Sequence, residues 1–240
     1  MTKWNGFKCD EFTFDGYDAK IVFPEKVNEK RNVAFKVEYW NAFPDVEIKL
    51  LEKGFHLIYI KNISRFATKE ECDIKARFLD FVSEKYNLNK KCVPIGMSCG
   101  GAHAMRFSGL YPEKVSCIYI DAPVLNYCSF PGKLGDEECE SVWEKEFIKA
   151  YPGIKRCELL NFSEHPLNQA KSVIENKIPV LMVYGTEDET VIYEENGLLL
   201  EDAFENTDLL KTIRVGYRGH HPHGLVGDNT PIVDFIIKNS

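Results

Sequence analysis

The sequence predicts an α/β fold with a mostly parallel central sheet and helices on both of its faces. Short apolar runs of β type alternate along the chain with segments of helical periodicity. The run at 179–184 is continuously apolar, as burial on both faces of a sheet requires. The 240 residues suffice for a single domain, 1–240, that buries about 70% of the surface of the unfolded chain. Its core therefore needs no disulfide bonds or structural metals for stability.

Composition and charge exclude several other classes of protein. The hydrophobic fraction of 44% is too high for a disordered chain, and 16 glycines and 11 prolines are too few for a fibrous one. Thirty basic and 37 acidic side chains give a net charge of −7, so we expect no nucleic-acid partner. No apolar run approaches the roughly 18 residues that cross a bilayer, so we expect no membrane partner.

Cysteine usage and the first residues favour a cytoplasmic protein. Residues 1–6 lack the apolar segment of a signal peptide. The cysteines form no Cys-x-x-Cys pair, and we expect reduced thiols, several of them in the core; the even count leaves disulfides as the weaker alternative. The eight cysteines are Cys9, Cys72, Cys92, Cys99, Cys117, Cys128, Cys139 and Cys157.

The first half of the chain alternates regularly between the two types of element. Apolar runs predict strands at 20–23, 32–37, 55–60, 92–95 and 115–120. Between them, helical spacing predicts helices over 45–53, from residue 68 onward, and from the glycine-rich segment after residue 97 to just before residue 112. Gly54 ends the first helix, and a capping box of Thr68 and Glu71 marks the start of the second.

The pattern changes between residues 126 and 176. Pro-Gly pairs at 131–132 and 152–153 flank an amphipathic helix that carries Trp143 and Phe147. We interpret this segment as a cap-like insert on the single domain. The alternation then resumes, with strands predicted at 179–184 and 211–217 and helices at 198–204 and 231–238.

The sequence from Gly96 to Gly100 reads Gly-x-Ser-x-Gly and lies between a predicted strand and a predicted helix. This context is typical of a nucleophile elbow, in which the serine occupies a strained turn with its hydroxyl clear of the sheet. Side chains at the two glycines would clash with the neighbouring strand and helix. We therefore predict Ser98 as the nucleophile and the N–H of Cys99 as a donor to the oxyanion. A glycine-rich turn with a buried serine is the alternative.

A serine nucleophile needs a base, and the base needs a carboxylate that orients it, in the chain order Ser, acid, His. Asp188 follows the most apolar strand and is the predicted acid, while the two neighbouring glutamates are expected to be solvated. Three histidines follow the last strand; His220 is the preferred base, His223 the alternative and His221 the least favoured. A transition-metal site is the competing interpretation, because histidine is a frequent metal ligand. No further ligating cluster flanks these histidines at a zinc-like spacing, so we expect neither a metal nor a cofactor.

Aromatic residues near these segments suggest a substrate pocket. The N–H of Tyr39, in the loop after the strand predicted at 32–37, is the candidate second oxyanion donor. Trp40, together with Phe130 and Trp143 from the insert, is expected to form an apolar wall above the nucleophile. Such a wall suits sugar rings and acyl groups alike. Aromatic packing without a role in binding is the alternative.

With these residues, the chain resembles the α/β-hydrolase superfamily along nearly its whole length. The likeness is closer to small bacterial enzymes of the prolyl-oligopeptidase-like and carbohydrate-esterase-like groups, although Cys99 stands where such relatives commonly have an arginine. The matching stretches are 10–16, 38–44, the elbow, 121–124, 219–223 and 230–236.

The resemblance implies a serine hydrolase with an α/β-hydrolase fold and a triad of Ser98, Asp188 and a histidine of 220–223. It also implies an acyl-enzyme mechanism acting on a small-molecule ester, such as an acetylated carbohydrate. A small peptidase and a non-catalytic binding protein are the alternatives.

Overall fold

The structure, a computed structural model, describes residues 2–135 and 140–240. This part of the chain forms one sheet in the order β1-β2-β3-β5-β4-β6-β7-β8-β9. The strands are β1 (Thr2–Trp4), β2 (Phe7–Phe14), β3 (Tyr17–Phe23), β4 (Val33–Lys36), β5 (His56–Ile60), β6 (Cys92–Met97), β7 (Ile118–Asp121), β8 (Val180–Gly185) and β9 (Leu210–Val215).

Helices connect most of the strands. The α-helices are α1 (Asp45–Glu52), α2 (Lys69–Tyr86), α3 (Cys99–Leu110), α4 (Glu140–Val142), α5 (Ile148–Ala150), α6 (Ala170–Glu175), α7 (Gly197–Phe204) and α8 (Thr230–Asn239), and a π-helical turn (Trp143–Phe147) joins α4 to α5. Short 3₁₀ helices lie at Pro112–Lys114, Lys133–Gly135, Arg156–Asn161, Pro166–Gln169 and Tyr193–Glu195. The predicted capping box is present at the start of α2, where Thr68 and Glu71 each accept a backbone N–H of the other.

The sheet is mostly parallel, as predicted. Pairing from β5 through β4, β6, β7 and β8 to β9 is parallel, whereas β1, β2, β3 and β5 pair in antiparallel fashion. Strands β1 and β2 were not predicted from the sequence. Their apolar residues alternate with exposed charged ones at one edge of the sheet, so no continuous apolar run marks them. The strand predicted from residue 115 begins only at Ile118, because Val115 makes just an isolated bridge with Cys92.

The apolar core lies in two layers, one on each face of the sheet. One layer includes Phe78 of α2 and Phe107 of α3, and the other includes Leu50 of α1 and Ile236 of α8. Successive residues of each central strand contribute to opposite layers. This packing places the carboxyl ends of the parallel strands at one edge of the sheet, where the loops after them converge.

A third apolar cluster joins the segment 126–176 to the loop between β5 and α2. Tyr127 and Tyr151 both donate hydrogen bonds to the carbonyl oxygen of Phe66, at 2.5 and 2.9 Å. Phe147, on the π-helical turn, packs edge to face against Phe66 at 5.1 Å. These contacts hold the segment above the carboxyl edge of the sheet.

The seven cysteines in the described part of the chain are free thiols, and Cys139 lies outside it. Five of the seven are buried, as expected for small core residues. Within the described ranges, no helix combines the length and the apolar character that crossing a bilayer would require.

Candidate active site

Ser98 occupies the tight turn between β6 and α3. Its φ of 53° is unusual for a residue with a side chain, and its N–H donates to the carbonyl oxygen of Asp121 at 2.9 Å. A Cβ at Gly96 would lie 2.1 Å from the carbonyl oxygen of Gly100, so only glycine fits there. A Cβ at Gly100 would meet Glu38 at 3.2 Å, a less severe contact. The local sequence thus builds the sharp turn expected of a nucleophile elbow.

His220 lies between Ser98 and Asp188. Its Nε2 is 3.0 Å from Oγ of Ser98, and its Nδ1 is 2.8 Å from Oδ2 of Asp188. A carboxylate can only accept, so Nδ1 carries the ring proton and donates it to Asp188. The lone pair on Nε2 is then free to accept the hydroxyl proton of Ser98. The structure brings these three predicted residues into one hydrogen-bonded line.

Asp188 is held in its ionised form. Its Oδ1 accepts the backbone N–H groups of Thr190 and Val191, each at 2.9 Å. Burial of the carboxyl group acts to raise its pKa. The hydrogen bonds from His220 and from the two backbone N–H groups outweigh burial and lower the pKa below its ordinary value. The carboxylate therefore stays charged and fixes the orientation of the imidazole.

His223, the alternative base, contacts a different carboxylate. Its Nδ1 is 3.0 Å from Oδ1 of Asp121, which is fully buried at the end of β7. Asp121 also accepts two hydrogen bonds from the guanidinium of Arg218, at 2.8 and 3.2 Å, and one from the N–H of Gly224 at 2.7 Å. This cluster fixes both ends of the segment that carries His220.

Asp121 and Arg218 have no role predicted from the sequence. Asp121 is only the first residue of the stretch 121–124 that matches related enzymes. One signal was available, because an aspartate directly after an apolar run ends a strand next to the one that precedes Ser98. Arg218, two residues before His220, gave no comparable signal.

The two candidate oxyanion donors flank Ser98. Cys99 is the first residue of α3, so its N–H has no carbonyl partner inside the helix. Burial raises the pKa of its thiol to about 11, which argues against a reactive cysteine here. Tyr39 has a φ of 52°, and its backbone N–H interacts with the carboxyl group of Glu38. Its role as the second donor stays a prediction.

Two buried lysines support the loop after β4, which carries Tyr39. Lys36 donates to the carbonyl oxygen of Ala42 at 3.2 Å from beneath the loop. Lys75 of α2 donates to Asn62, whose amide in turn donates to Glu38 at the start of the loop. The loop is therefore anchored from two sides.

A cavity of about 320 Å³ opens above Ser98. It is lined by Tyr39, Ala42, Phe43, Arg65, Met97, Ser98, Cys99, Phe130, Thr190, His220, His221 and His223. A larger cleft of about 650 Å³, next to Pro179 and Lys238, lies where β8 begins, at the opposite edge of the sheet. The cavity above Ser98 combines concave shape with the aligned triad, so it is the candidate active site.

Of the three aromatic residues expected to wall the cavity, Phe130 lies there. Trp40 instead packs between Trp4 and Tyr59, with ring centroids 4.9 and 5.2 Å away. Trp143 stacks on Phe147 at 4.7 Å within the third apolar cluster. The expectation that Trp40 and Trp143 line the cavity is therefore corrected, because both indole rings pack against other aromatic side chains.

Two residues that line the cavity, Arg65 and His221, were not predicted as site residues. Arg65 donates two hydrogen bonds of 2.6 Å to Glu146 of the segment 126–176. No sequence motif marks Arg65 as a site residue. His221 is exposed and stacks on Phe43 at 5.4 Å. Partial burial, together with the neighbouring imidazoles of His220 and His223, lowers the pKa of His221.

Comparison with solved structures shows the α/β-hydrolase fold. Est1E from Butyrivibrio proteoclasticus superposes with a TM-score of 0.65 and 15% identity, over 96% of this chain and 98% of its own. The acylaminoacyl peptidase of Pyrococcus horikoshii gives a TM-score of 0.73 at 15% identity, over 100% of this chain and 44% of its own. Dipeptidyl peptidase 4 from Porphyromonas gingivalis gives 0.71 at 15% identity, over 99% of this chain and 36% of its own.

The chain thus spans less than half the length of these two peptidases. No protein-family model matches the sequence, and no curated protein matches it either. At such identities the likeness concerns the fold, so the activity must be argued from the residues of this chain.

Proposed function

We propose that this protein is a serine hydrolase that cleaves small carboxylic esters through an acyl-enzyme. The observation that carries the proposal is the placement of His220, 3.0 Å from Oγ of Ser98 and 2.8 Å from Asp188. Hydroxyl, base and orienting carboxylate then stand in the order in which serine hydrolases use them.

The reaction follows from the hydrogen bonds of the triad. Oγ of Ser98 attacks the ester carbonyl while Nε2 of His220 accepts its proton. The Nδ1–H remains bonded to Asp188, whose negative charge stabilises the imidazolium. His220 then protonates the departing alcohol, leaving the acyl group on Ser98. A water molecule that gives a proton to His220 attacks this acyl-enzyme and releases the acid.

Backbone N–H groups stabilise the tetrahedral oxyanion in this proposal. Cys99 supplies the first from the start of α3, where the helix dipole also favours negative charge. Tyr39, in the anchored loop after β4, supplies the second once its N–H is released from the carboxyl group of Glu38. Each such donor lowers the barrier by about 3 kcal/mol. The mechanism needs no metal or cofactor.

The cavity supports a small substrate. Its volume of about 320 Å³ is at the small end of the range for ligand pockets. Phe130 offers an apolar surface, and Arg65 offers donors for a polar leaving group. An acetylated carbohydrate fits this description and agrees with the resemblance to carbohydrate esterases.

Hydrolysis of p-nitrophenyl acetate and of an aminoacyl p-nitroanilide by the purified protein tests the proposal. We expect the ester to be cleaved much faster, and Ser98→Ala to lose at least about 1,000-fold of that rate. Ser108→Ala is the matched control, because this buried hydroxyl lies on α3, the helix that follows Ser98, and donates to the carbonyl oxygen of Ala104 at 2.7 Å.

Each alternative gives a distinct result. Preferential cleavage of the anilide would identify a peptidase. Failure of the folded protein to cleave either substrate would favour a binding protein. An Ser98→Ala variant as active as the wild type would refute the proposed nucleophile.

A further inference from the structure

Three imidazoles meet at the mouth of the cavity. One ring nitrogen from each of His220, His221 and His223 lies within 4.8 Å of one from each of the others. Some point is therefore within about 2.8 Å of all three nitrogens (4.8 Å divided by the square root of three), whereas a zinc–imidazole bond is about 2.0–2.1 Å long. An inward movement of about 0.7 Å per ring would complete three metal bonds.

Two of these rings are already held as metal-binding histidines usually are. Such histidines almost always donate their second ring N–H to a carboxylate or carbonyl group, which fixes the lone pair on the other nitrogen. Asp188 accepts Nδ1–H of His220 at 2.8 Å, and Asp121 accepts Nδ1–H of His223 at 3.0 Å. Both carboxylates are nearly or fully buried, so both Nε2 lone pairs are oriented before any metal arrives.

These supporting carboxylates come from elsewhere in the chain. Asp121, at the end of β7, lies 102 residues before His223, to which it is hydrogen-bonded. Asp188, after β8, lies 32 residues before its partner His220. The sequence around the three histidines shows no flanking cluster of ligands at a zinc-like spacing. The fold supplies the missing support.

His221 provides the adjustable third ligand. It is exposed and rests on Phe43, so its ring can turn without disturbing the core. Imidazole ligands suit Zn²⁺, Cu²⁺ and Ni²⁺ and are poor partners for Mg²⁺ and Ca²⁺.

We propose that His220, His221 and His223 bind a divalent transition-metal ion of the Zn²⁺ type, and that the bound ion inhibits hydrolysis. The inhibitory part rests on the proposed function. The ion takes the Nε2 lone pair of His220, which must otherwise accept the proton of Ser98. The hydroxyl of Ser98, hydrogen-bonded to that nitrogen at 3.0 Å, must turn aside to admit the ion and then has no base to accept its proton.

Zn²⁺ titration of tag-free protein by isothermal calorimetry tests the site. We expect one equivalent to bind the wild type and the Ser98→Ala variant, and His221→Asn to weaken binding at least tenfold. Cys157→Ser, which removes an exposed thiol outside the cavity, is the control and should bind like the wild type. Absence of binding, or equal binding by the wild type and His221→Asn, would overturn the proposed site.

The inhibitory effect is measured separately. Ester hydrolysis should fall over the Zn²⁺ concentrations at which binding occurs and should return on addition of EDTA. Saturation with Zn²⁺ at an unchanged rate would refute inhibition. Because Ser98→Ala needs no activity to bind the ion, calorimetry still decides the metal site if the proposed hydrolase activity fails, whereas the inhibitory part would fall with that activity.

Discussion

The Asp121→Asn substitution should destabilise the protein strongly and slow the chemistry at Ser98. Asp121 is fully buried and accepts hydrogen bonds from Arg218, His223 and the N–H of Gly224. Asparagine keeps the shape but loses the charge and replaces one acceptor oxygen with a donor. Arg218, whose side chain is 3% exposed, would become a buried cation without a counter-charge.

Removing one partner of a buried ion pair costs about 3–5 kcal/mol. That is a large share of the roughly 5–15 kcal/mol by which proteins of this kind are stable. For a chain of 240 residues it corresponds to a fall in Tm of about 10 °C. Because Arg218 lies two residues before His220, a displacement of about 1 Å would also slow the reaction of Ser98 by up to about 100-fold.

Thermal unfolding followed by circular dichroism measures the first effect, and the rate of fluorophosphonate labelling measures the second. Asp15→Asn is the matched control. Asp15 also accepts two hydrogen bonds from an arginine, Arg77, at 3.1 and 2.8 Å, but their side chains are 41% and 55% exposed. This surface variant should stay within about 1 kcal/mol of the wild type. Equal, small losses in both variants would refute the reasoning.

Three further perturbations test other parts of the account. Gly96→Ala should abolish activity, because its Cβ would lie 2.1 Å from the carbonyl oxygen of Gly100; a wild-type labelling rate would contradict the elbow geometry. His220→Ala should lose labelling while His223→Ala only slows it, and equal mild losses would mean that the base lies elsewhere. Burial, reinforced by a neighbouring lysine, lowers the pKa of His103 to about 3, so below the ordinary value of 6.5 the unfolded chain binds a proton that the folded chain does not. The urea concentration at the unfolding midpoint should therefore fall as the pH is lowered from about 7 to about 4, and it should fall less steeply in His103→Asn. Identical slopes in the two proteins would contradict this assignment.

The sequence predicts those features that short segments determine. The strand, Ser98 and α3 follow each other directly, and Gly96 and Gly100, which permit this turn, each lie two residues from Ser98. Asp188 follows the most apolar strand, where the carboxyl edge of the sheet must lie. The capping box at the start of α2 is equally local.

Features that depend on long-range packing were not predictable. Spacing along the sequence did not decide whether His220 or His223 is the base, because the path of the loop determines which ring faces Ser98. That path depends on Asp121, about 100 residues earlier in the chain. Trp40 was misplaced because Trp4, on the unpredicted strand β1, offers it a partner.

The central claim is that Ser98 is activated by His220. Peptide mapping by mass spectrometry after reaction with a fluorophosphonate tests it most directly. The account predicts a single adduct, on the peptide that contains Ser98, and no adduct in His220→Ala over the same time. A folded wild-type protein that stays unmodified, or that carries the adduct on another residue, would contradict it.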